Sequence, residues 1–313
     1  MGPRERPASP LIGLVGPTAS GKTDLALAIA RRMPVEILVA DSRQVYRGMD
    51  VGTATPGPQV RADVPHHLLD LVDPDEPFSV AQWVAMARRL IVEIAARGRM
   101  PMLVGGTGLY VEALLTGHDY DAQSWSPERR TEILARFEAE GLGPLADELR
   151  SRAPDVAAAI DLRNPRRVVR ALERIDGGAG DPRAEPYSGR VALLGLSRPP
   201  AVLTTRIEGR ARAMFEDEGL LEEVQRLLER GYAPDLRPMT GHGYREAARH
   251  LAGEWGLEEA IEVTARRTRQ YAKRQRTWFR REPRIMWLAA GSGHADRPEL
   301  VAEAERLVRA ALS

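Results

Sequence analysis

The sequence predicts an α/β fold: a parallel sheet core flanked by helices and interrupted by an all-helical insertion domain. Three observations predict it. Short apolar runs of strand length recur at residues 11–15, 35–42, 101–104 and 191–196, with amphipathic helical patterns between them. A glycine-rich loop joins the first run to the first helix, as in α/β sheets that bind ligands at their strand ends. From about residue 119 to 175 no strand pattern intervenes. The expected domains are therefore 9–118 with 190–313 as the core, and 119–189 as the helical insertion.

The glycine loop reads G-P-T-A-S-G-K-T over Gly16–Thr23, between Leu11-Ile12-Gly13-Leu14-Val15 and the helix formers from Asp24 to Ala30. Strand, loop and helix in that order turn a G-x-x-x-x-G-K-[ST] match into a P-loop-type phosphate site. Gly16 and Gly21 let the backbone bend so that successive N–H groups face one concavity. The following helix adds the positive end of its dipole. Lys22 supplies a full charge, and the Thr23 hydroxyl is a ligand for Mg²⁺. The loop does not identify the phosphate compound.

The next apolar run, Val35 to Ala40, ends in Asp41-Ser42. Neighbouring strand ends in such a sheet share one crevice, so Asp41 is expected to face the phosphate loop. Three roles compete for it: a Mg²⁺ ligand, a general base, or a cap of the next turn with Ser42. The pattern does not choose among them. Residues 48–65, rich in Gly, Pro and Thr, read as an irregular loop on the same side. His66-His67 follow Pro65 and are expected to be turn or loop histidines, since no cysteine or spaced histidine pair accompanies them. Ser79 caps a helix to about Arg97 with Trp83, Ala87, Leu90, Ile91 and Ile94 on one face. Pro101 to Val104 then runs into Gly105-Gly106-Thr107, where paired glycines allow close approach to a ligand or simply turn the chain.

Ser126-Pro127-Glu128 and Asn164-Pro165 each carry a helix cap followed by an N1 proline. The segment 176–190 is linker-like, and Val191 to Leu196 returns to a buried strand. On the helix that follows, Arg206 and Arg210 are four apart on one exposed face, suited to clamp a pyrophosphate or an RNA backbone, or merely solvated. Residues 263–281 hold eight lysines or arginines and no acid. Arg266, Arg269, Lys273, Arg276 and Arg280 form one stripe, with Arg267, Arg274 and Arg281 beside it. Tyr271 and Trp278 are expected to mark the core-facing side. Uncompensated charge of one sign points to a polyanion. The final helix, 298–312, has ordinary amphipathic spacing.

Composition narrows the classes. The chain of 313 residues has 45 Lys plus Arg against 44 Asp plus Glu, a net charge of +1, so any basic surface is local. It has no cysteine, which excludes disulfides and thiolate chemistry. No apolar run reaches membrane-spanning length, and MGPRERPASP lacks a signal-peptide core. A cytoplasmic protein with a loose leader is expected.

Across nearly the whole chain the sequence resembles the tRNA dimethylallyltransferases (isopentenyltransferases). The matches are GPTASGKT at 16–23, DSRQVYRGMDVGTATP at 41–56, PHHLLD at 65–70, VGGTGLY at 104–110, RRVVRALE at 166–173 and TRQYAKRQRTWFR at 268–280. The resemblance implies transfer of a dimethylallyl group from dimethylallyl diphosphate to N6 of adenosine 37 in the tRNA anticodon loop. It implies Asp41 as the base, with Thr107 a hydrogen-bonding partner at the same centre. Gly16, Thr18, Ala19, Ser20, Gly21, Lys22 and Thr23 would hold the donor diphosphate, with Arg206 and Arg210, and Mg²⁺ would sit at Thr23. Contacts to tRNA would come from Asp41, Ser42, Arg43, Gln44 and Thr107. Arg130, Arg166, Arg167 and Arg170 would contact it from the insertion, and Arg269, Lys273, Arg274 and Arg276 from the basic helix. A monomer is expected. Thr55 stands where the family often has lysine, and His242 where it has an aliphatic residue. The rivals are a small-metabolite kinase, which leaves the basic helix without a task, and an RNA-binding nucleotide switch, which leaves the Gly105 to Tyr110 turn without one.

Overall fold

The computed structural model describes residues 8–117, 127–176 and 185–313. Its elements are β1 (Leu11–Val15), α1 (Lys22–Ala30), β2 (Val35–Ala40), α2 (Pro58–Asp63), β3 (His66–His67), α3 (Val80–Ala96), β4 (Met100–Gly105) and α4 (Gly108–Thr116). Then come α5 (Pro127–Glu140), α6 (Leu142–Arg152), α7 (Pro154–Ala159) and α8 (Pro165–Asp176). The chain finishes with β5 (Val191–Ser197), α9 (Pro200–Glu216), α10 (Leu220–Glu229), α11 (Tyr244–Leu251), α12 (Leu257–Phe279), β6 (Met286–Ala289) and α13 (Pro298–Leu312).

The six strands form one parallel sheet in the order β3-β2-β4-β1-β5-β6. Burial on both faces is why its strands read as continuous apolar runs. Along β1, Leu11 and Val15 join the core beneath α3, α4 and α9 to α12, while Ile12 and Leu14 join the core beneath α1 and α13. Trp83 is fully buried, stacks on Tyr110 at 4.6 Å and donates its indole N–H to the Val39 carbonyl at 3.1 Å. Ser79 caps α3 as expected, in a capping box with Gln82.

Three expectations are corrected here. The 48–65 loop contains α2, a six-residue helix opened by Pro58. His66-His67 form the edge strand β3 and are not turn residues; His67 pairs with the buried Glu36 at 2.7 Å. Strand β6 is additional.

The chain divides into two compact units, 1–115 with 187–313, and 116–186. The Tyr187 amide bonds the Leu115 carbonyl at 3.2 Å, so the core resumes where it was left. The second unit packs α5 to α8 around Ile133, Leu145, Leu149, Val168 and Leu172. Asn164 caps α8, accepting from the Arg166 amide at 3.1 Å. The leader to residue 7, the Ser126 cap and linker residues 177–184 lie outside the described residues.

Candidate active site

Strands β1, β4 and β2 end side by side, with Val15 and Ala40 both in register with Gly105. Their continuations, the 16–23 loop, Gly106-Thr107 and Asp41, therefore converge. The first and third of these, with Gly106, line a cleft of about 560 Å³ that also takes in Gln44, Thr53, Ala54, His66, Arg206 and Arg210.

The loop is built to aim amides inward. Gly16 lies so close to β5 that a Cβ there would stand 2.7 Å from the Leu196 carbonyl oxygen. Ala19 and Gly21 take left-handed φ values of 61° and 95°, which glycine accepts freely and alanine does not. Two arginines engage the loop's carbonyls: Arg206 Nε bonds Ala19 O at 2.9 Å and Arg198 Nε bonds Ser20 O at 2.6 Å. With those carbonyls engaged, the N–H groups of Ala19, Gly21, Lys22 and Thr23, which no bond among the described residues takes, remain free for an anion.

Two of the loop residues expected at the diphosphate already have their amides engaged within the protein. The Thr18 amide is already bound, donating to Gln275 Oε1 at 2.8 Å, while the residue lines the cleft. Ser20 is fully buried and its amide closes a turn onto Pro17 O at 3.3 Å. Lys22 Nζ reaches Pro17 O at 2.8 Å, and burial, opposed by Asp41 and reinforced by Arg210, brings its pKa down to about 8. Arg206 and Arg210 are half-buried walls of the cleft and not a solvated face. Burial depresses the Arg210 pKa, against the pull of Glu218 and Asp41.

Asp41 partly plays the capping role: its Oδ1 accepts from the Arg43 amide at 2.9 Å. Among the described residues its Oδ2 accepts nothing, which leaves that oxygen for chemistry. Thr107 is fixed beside it, its amide on Ala40 O at 3.1 Å and its Oγ1 accepting from the Ser42 amide at 3.0 Å. Arg43 bonds the carbonyls of Arg237 and Pro238 at 2.6 and 3.2 Å, and Gln44 bonds those of Thr53 and Ala54. Both side chains thus build the wall of the site. The buried Glu223 steadies the facing loop, accepting from the Asp50 and Val51 amides at 2.9 Å and from the Tyr244 hydroxyl at 2.6 Å. Thr55, at a departure from the resemblance, bonds Thr53 hydroxyl to hydroxyl at 2.7 Å.

Helix α12 needs two corrections. Trp278 is 39% exposed and not core-facing; the buried side carries Ile261, Ala265, Ala272, Gln275 and Phe279. The charge run is also partly compensated, by acids from other helices: Arg269 pairs with Glu208 at 2.6 Å, and Arg267 with the fully buried Glu246. Removing Arg267 leaves that buried carboxylate without its counter-charge, held among the described residues only by the Gly243 amide at 2.8 Å. Arg267→Ala is expected to destabilise the fold by about 2–4 kcal/mol, read by denaturant unfolding. Lys273 is exposed, Arg274 lies over the Tyr271 ring at 5.8 Å, and Arg276 lines a separate hollow with Arg280 and Trp287. Tyr271 faces the site: its hydroxyl lies within reach of the Thr107 and Gln275 side chains, and burial, aided by Asp41, raises its pKa to about 12. His242 stands 5.4 Å from the Tyr271 ring. Burial with Arg267, Arg43 and Arg274 around it pushes its pKa down to about 4, so it is neutral near pH 7.

In the second unit, Arg130 and Arg170 both pair with the buried Glu173, at 3.1 and 3.2 Å. Arg130 and Arg166 line one hollow over Leu134, Phe137 and Val169; Arg167 lies on the same helix, α8.

Sequence reasoning missed Gln275 and Arg198. Gln275 had one visible signal: it is an uncharged polar residue four positions after Tyr271, amid a basic run.

Among the described residues no group of three His, Asp or Glu side chains is placed to hold a metal, and no helix is long and apolar enough to cross a membrane.

Two family models match the chain: IPP transferase over residues 44–282 and isopentenyl transferase over 10–62. The tRNA dimethylallyltransferase of Roseiflexus castenholzii is 45% identical, covering 96% of this chain and 97% of its own; that of Syntrophobacter fumaroxidans is 42% identical, covering 96% and 89%. The structure of the full-length tRNA isopentenylpyrophosphate transferase of Bacillus halodurans superposes with a TM-score of 0.73 at 40% identity, covering 97% of each chain. A eukaryotic dimethylallyltransferase acting on tRNA gives 0.81 at 26% identity, covering 96% of this chain and 78% of that one. Likeness of that extent, over a sheet whose strand ends gather the amide nest and Asp41, makes this chain a transferase of the IPP transferase family.

Proposed function

We propose that this protein transfers the dimethylallyl group of dimethylallyl diphosphate to N6 of adenosine 37 in the anticodon loop of tRNA, releasing diphosphate. The observation that carries the reading is the shared cleft, where four free loop amides stand opposite a carboxylate with one unengaged oxygen.

The adenine amine is a weak nucleophile because its lone pair is delocalised into the ring. Asp41 Oδ2 accepts the N6 proton as the N6–C1 bond forms and the C1–O bond to diphosphate breaks. General-base help of this kind is worth about 10²–10⁴-fold. The amides of Ala19, Gly21, Lys22 and Thr23, with the Lys22 ammonium, take the charge growing on the leaving group. Arg206 and Arg210 close the wall behind it. Thr107, anchored through the Ser42 amide, presents its hydroxyl to the purine edge. Extruding a loop base costs a few kcal/mol, which single-stranded loops meet most easily.

The donor set fits a Mg²⁺ ion held chiefly by diphosphate oxygens and water, with Thr23 as the protein ligand and Asp24 and Asp41 lining the same cleft. Bound there, it would neutralise leaving-group charge. Ser42, Arg43 and Gln44 would border the tRNA at the mouth of the site. Arg130, Arg166, Arg167 and Arg170 would grip the anticodon arm from the insertion, and Lys273, Arg274 and Arg276 would meet RNA phosphates, in a cytoplasmic monomer.

Lys273→Gln and Arg276→Gln are each expected to lower the slope of log K against log salt for tRNA binding by about 0.7–0.9. Arg269→Gln should change it less, because Glu208 already neutralises that cation. Filter binding across a salt series checks both. The reaction itself is tested by incubating tRNA with labelled dimethylallyl diphosphate or labelled ATP. Label carried from the prenyl donor into RNA is expected; label carried from the γ-phosphate of ATP to an acceptor hydroxyl, with no five-carbon adduct on RNA, would favour a kinase.

A further inference from the structure

Gln275 occupies a position that none of the roles above uses. Its side chain is 6% exposed, on the buried side of α12. Its Oε1 accepts the Thr18 amide at 2.8 Å, and its Nε2 donates to the Gly106 carbonyl at 2.9 Å. One amide thus bridges the phosphate loop after β1 and the turn after β4. The fit leaves no slack: a Cβ at Gly106 would stand 2.3 Å from Gln275 Nε2. Gly106 is followed by Thr107, whose hydroxyl oxygen holds the Ser42 amide beside Asp41. One turn earlier on α12, Tyr271 sets its hydroxyl within reach of both Thr107 and Gln275.

The two bonds require one orientation of the amide. Only the oxygen can accept from Thr18, and only the nitrogen can donate to Gly106. Neither glutamate nor a hydrocarbon side chain of the same length satisfies both ends. The bond to Thr18 also removes that amide from the anion-binding set, so Gln275 does not assist the diphosphate directly. What it controls is the spacing between the group that holds the leaving diphosphate and the group that holds the attacking amine.

We propose that Gln275 is a positioning residue for prenyl transfer, fixing the phosphate loop against the Asp41–Thr107 centre so that amine, carbon and leaving oxygen come into line. The proposal rests on the transfer reaction proposed above. Bimolecular chemistry between two bound substrates is sensitive to such spacing, and a displacement of about 1 Å can cost about 10²-fold in rate.

The test uses full-length protein, dimethylallyl diphosphate and an anticodon stem-loop RNA, with single-turnover rates at saturating substrates. Gln275→Glu keeps the shape and the Thr18 bond but loses the donor to Gly106. Gln275→Met loses both bonds. Gly106→Ala pushes the amide away without altering it. Each is expected to slow transfer by about 30-fold or more, while the donor KM and the RNA Kd stay within about threefold. The double variant Gly106→Ala with Gln275→Met should be no slower than the worse single variant, because both break one bridge. Unchanged transfer rates in Gln275→Glu and Gln275→Met overturn the proposal. So does a rate loss matched by an equal loss of donor affinity, which would make Gln275 a prop of the phosphate loop alone. If a variant fails to fold, the others carry the same comparison. A wild-type enzyme that transfers nothing would refute the reaction, an outcome distinct from any effect of Gln275 substitution.

Discussion

Asp41→Asn is expected to lower turnover by about 10²–10⁴-fold while leaving the affinity for tRNA close to that of the wild type. The substitution keeps the shape of the side chain and an oxygen to accept the Arg43 amide, so the turn that positions residue 41 survives. What it removes is basicity at Oδ2, the oxygen that no group among the described residues engages. It also removes a negative charge that supports protonation of Lys22, so the Lys22 pKa falls further in the variant and the comparison belongs on the acid side of neutrality. Rapid-quench transfer assays and tRNA binding measured side by side check the split. Turnover within a fewfold of wild type would return Asp41 to the capping role that its Oδ1 already plays.

The parts of this site that could be read from the sequence are those in which one short segment carries the whole device. The glycine loop is such a segment: strand, turn and helix are adjacent in the chain, and the left-handed positions fall where the motif puts them, apart from Ala19. Asp41 and Thr107 were legible for a related reason, since parallel strands of similar length bring their carboxyl ends to one edge. Strands β3 and β6 were not, because two and four residues at the sheet's edges carry too little period to separate from loop. Gln275 shows the deeper limit. A glutamine in a helix is ordinary, and its meaning lies in Thr18 and Gly106, 257 and 169 residues away. The basic run on α12 misled in the same way. Composition showed eight cations without a local acid, while Glu208 and Glu246 reach Arg269 and Arg267 from other helices. Trp278 followed an assumed heptad with Tyr271, yet the helix turns Ile261, Ala265, Ala272 and Phe279 to the core and leaves that indole 39% exposed.

Lys22→Met is expected to lower kcat/KM for the prenyl donor by about 10²–10³-fold, the range for removing one preorganised donor from a developing oxyanion. It should also change the pH profile, which ties the loss to this ammonium. In the free protein the Lys22 pKa is brought down to about 8, because burial penalises the charge more than Asp41 supports it. A diphosphate beside the ammonium favours the charged form, so the pKa is higher in the complex. Above pH 8 the free protein has lost a proton that the complex retains, and binding must take it up. Donor affinity should therefore be flat below about pH 8 and fall above it, by at most tenfold per pH unit, until the pKa of the complex is passed. Lys22→Met has no such proton to lose, so its lower kcat/KM should not decline further between pH 8 and 9.5. A wild-type profile level through that range would mean that the ammonium never faces the donor. An alkaline fall that survives in Lys22→Met would assign it to another group, and the loop would then hold its ligand through backbone amides and arginines alone.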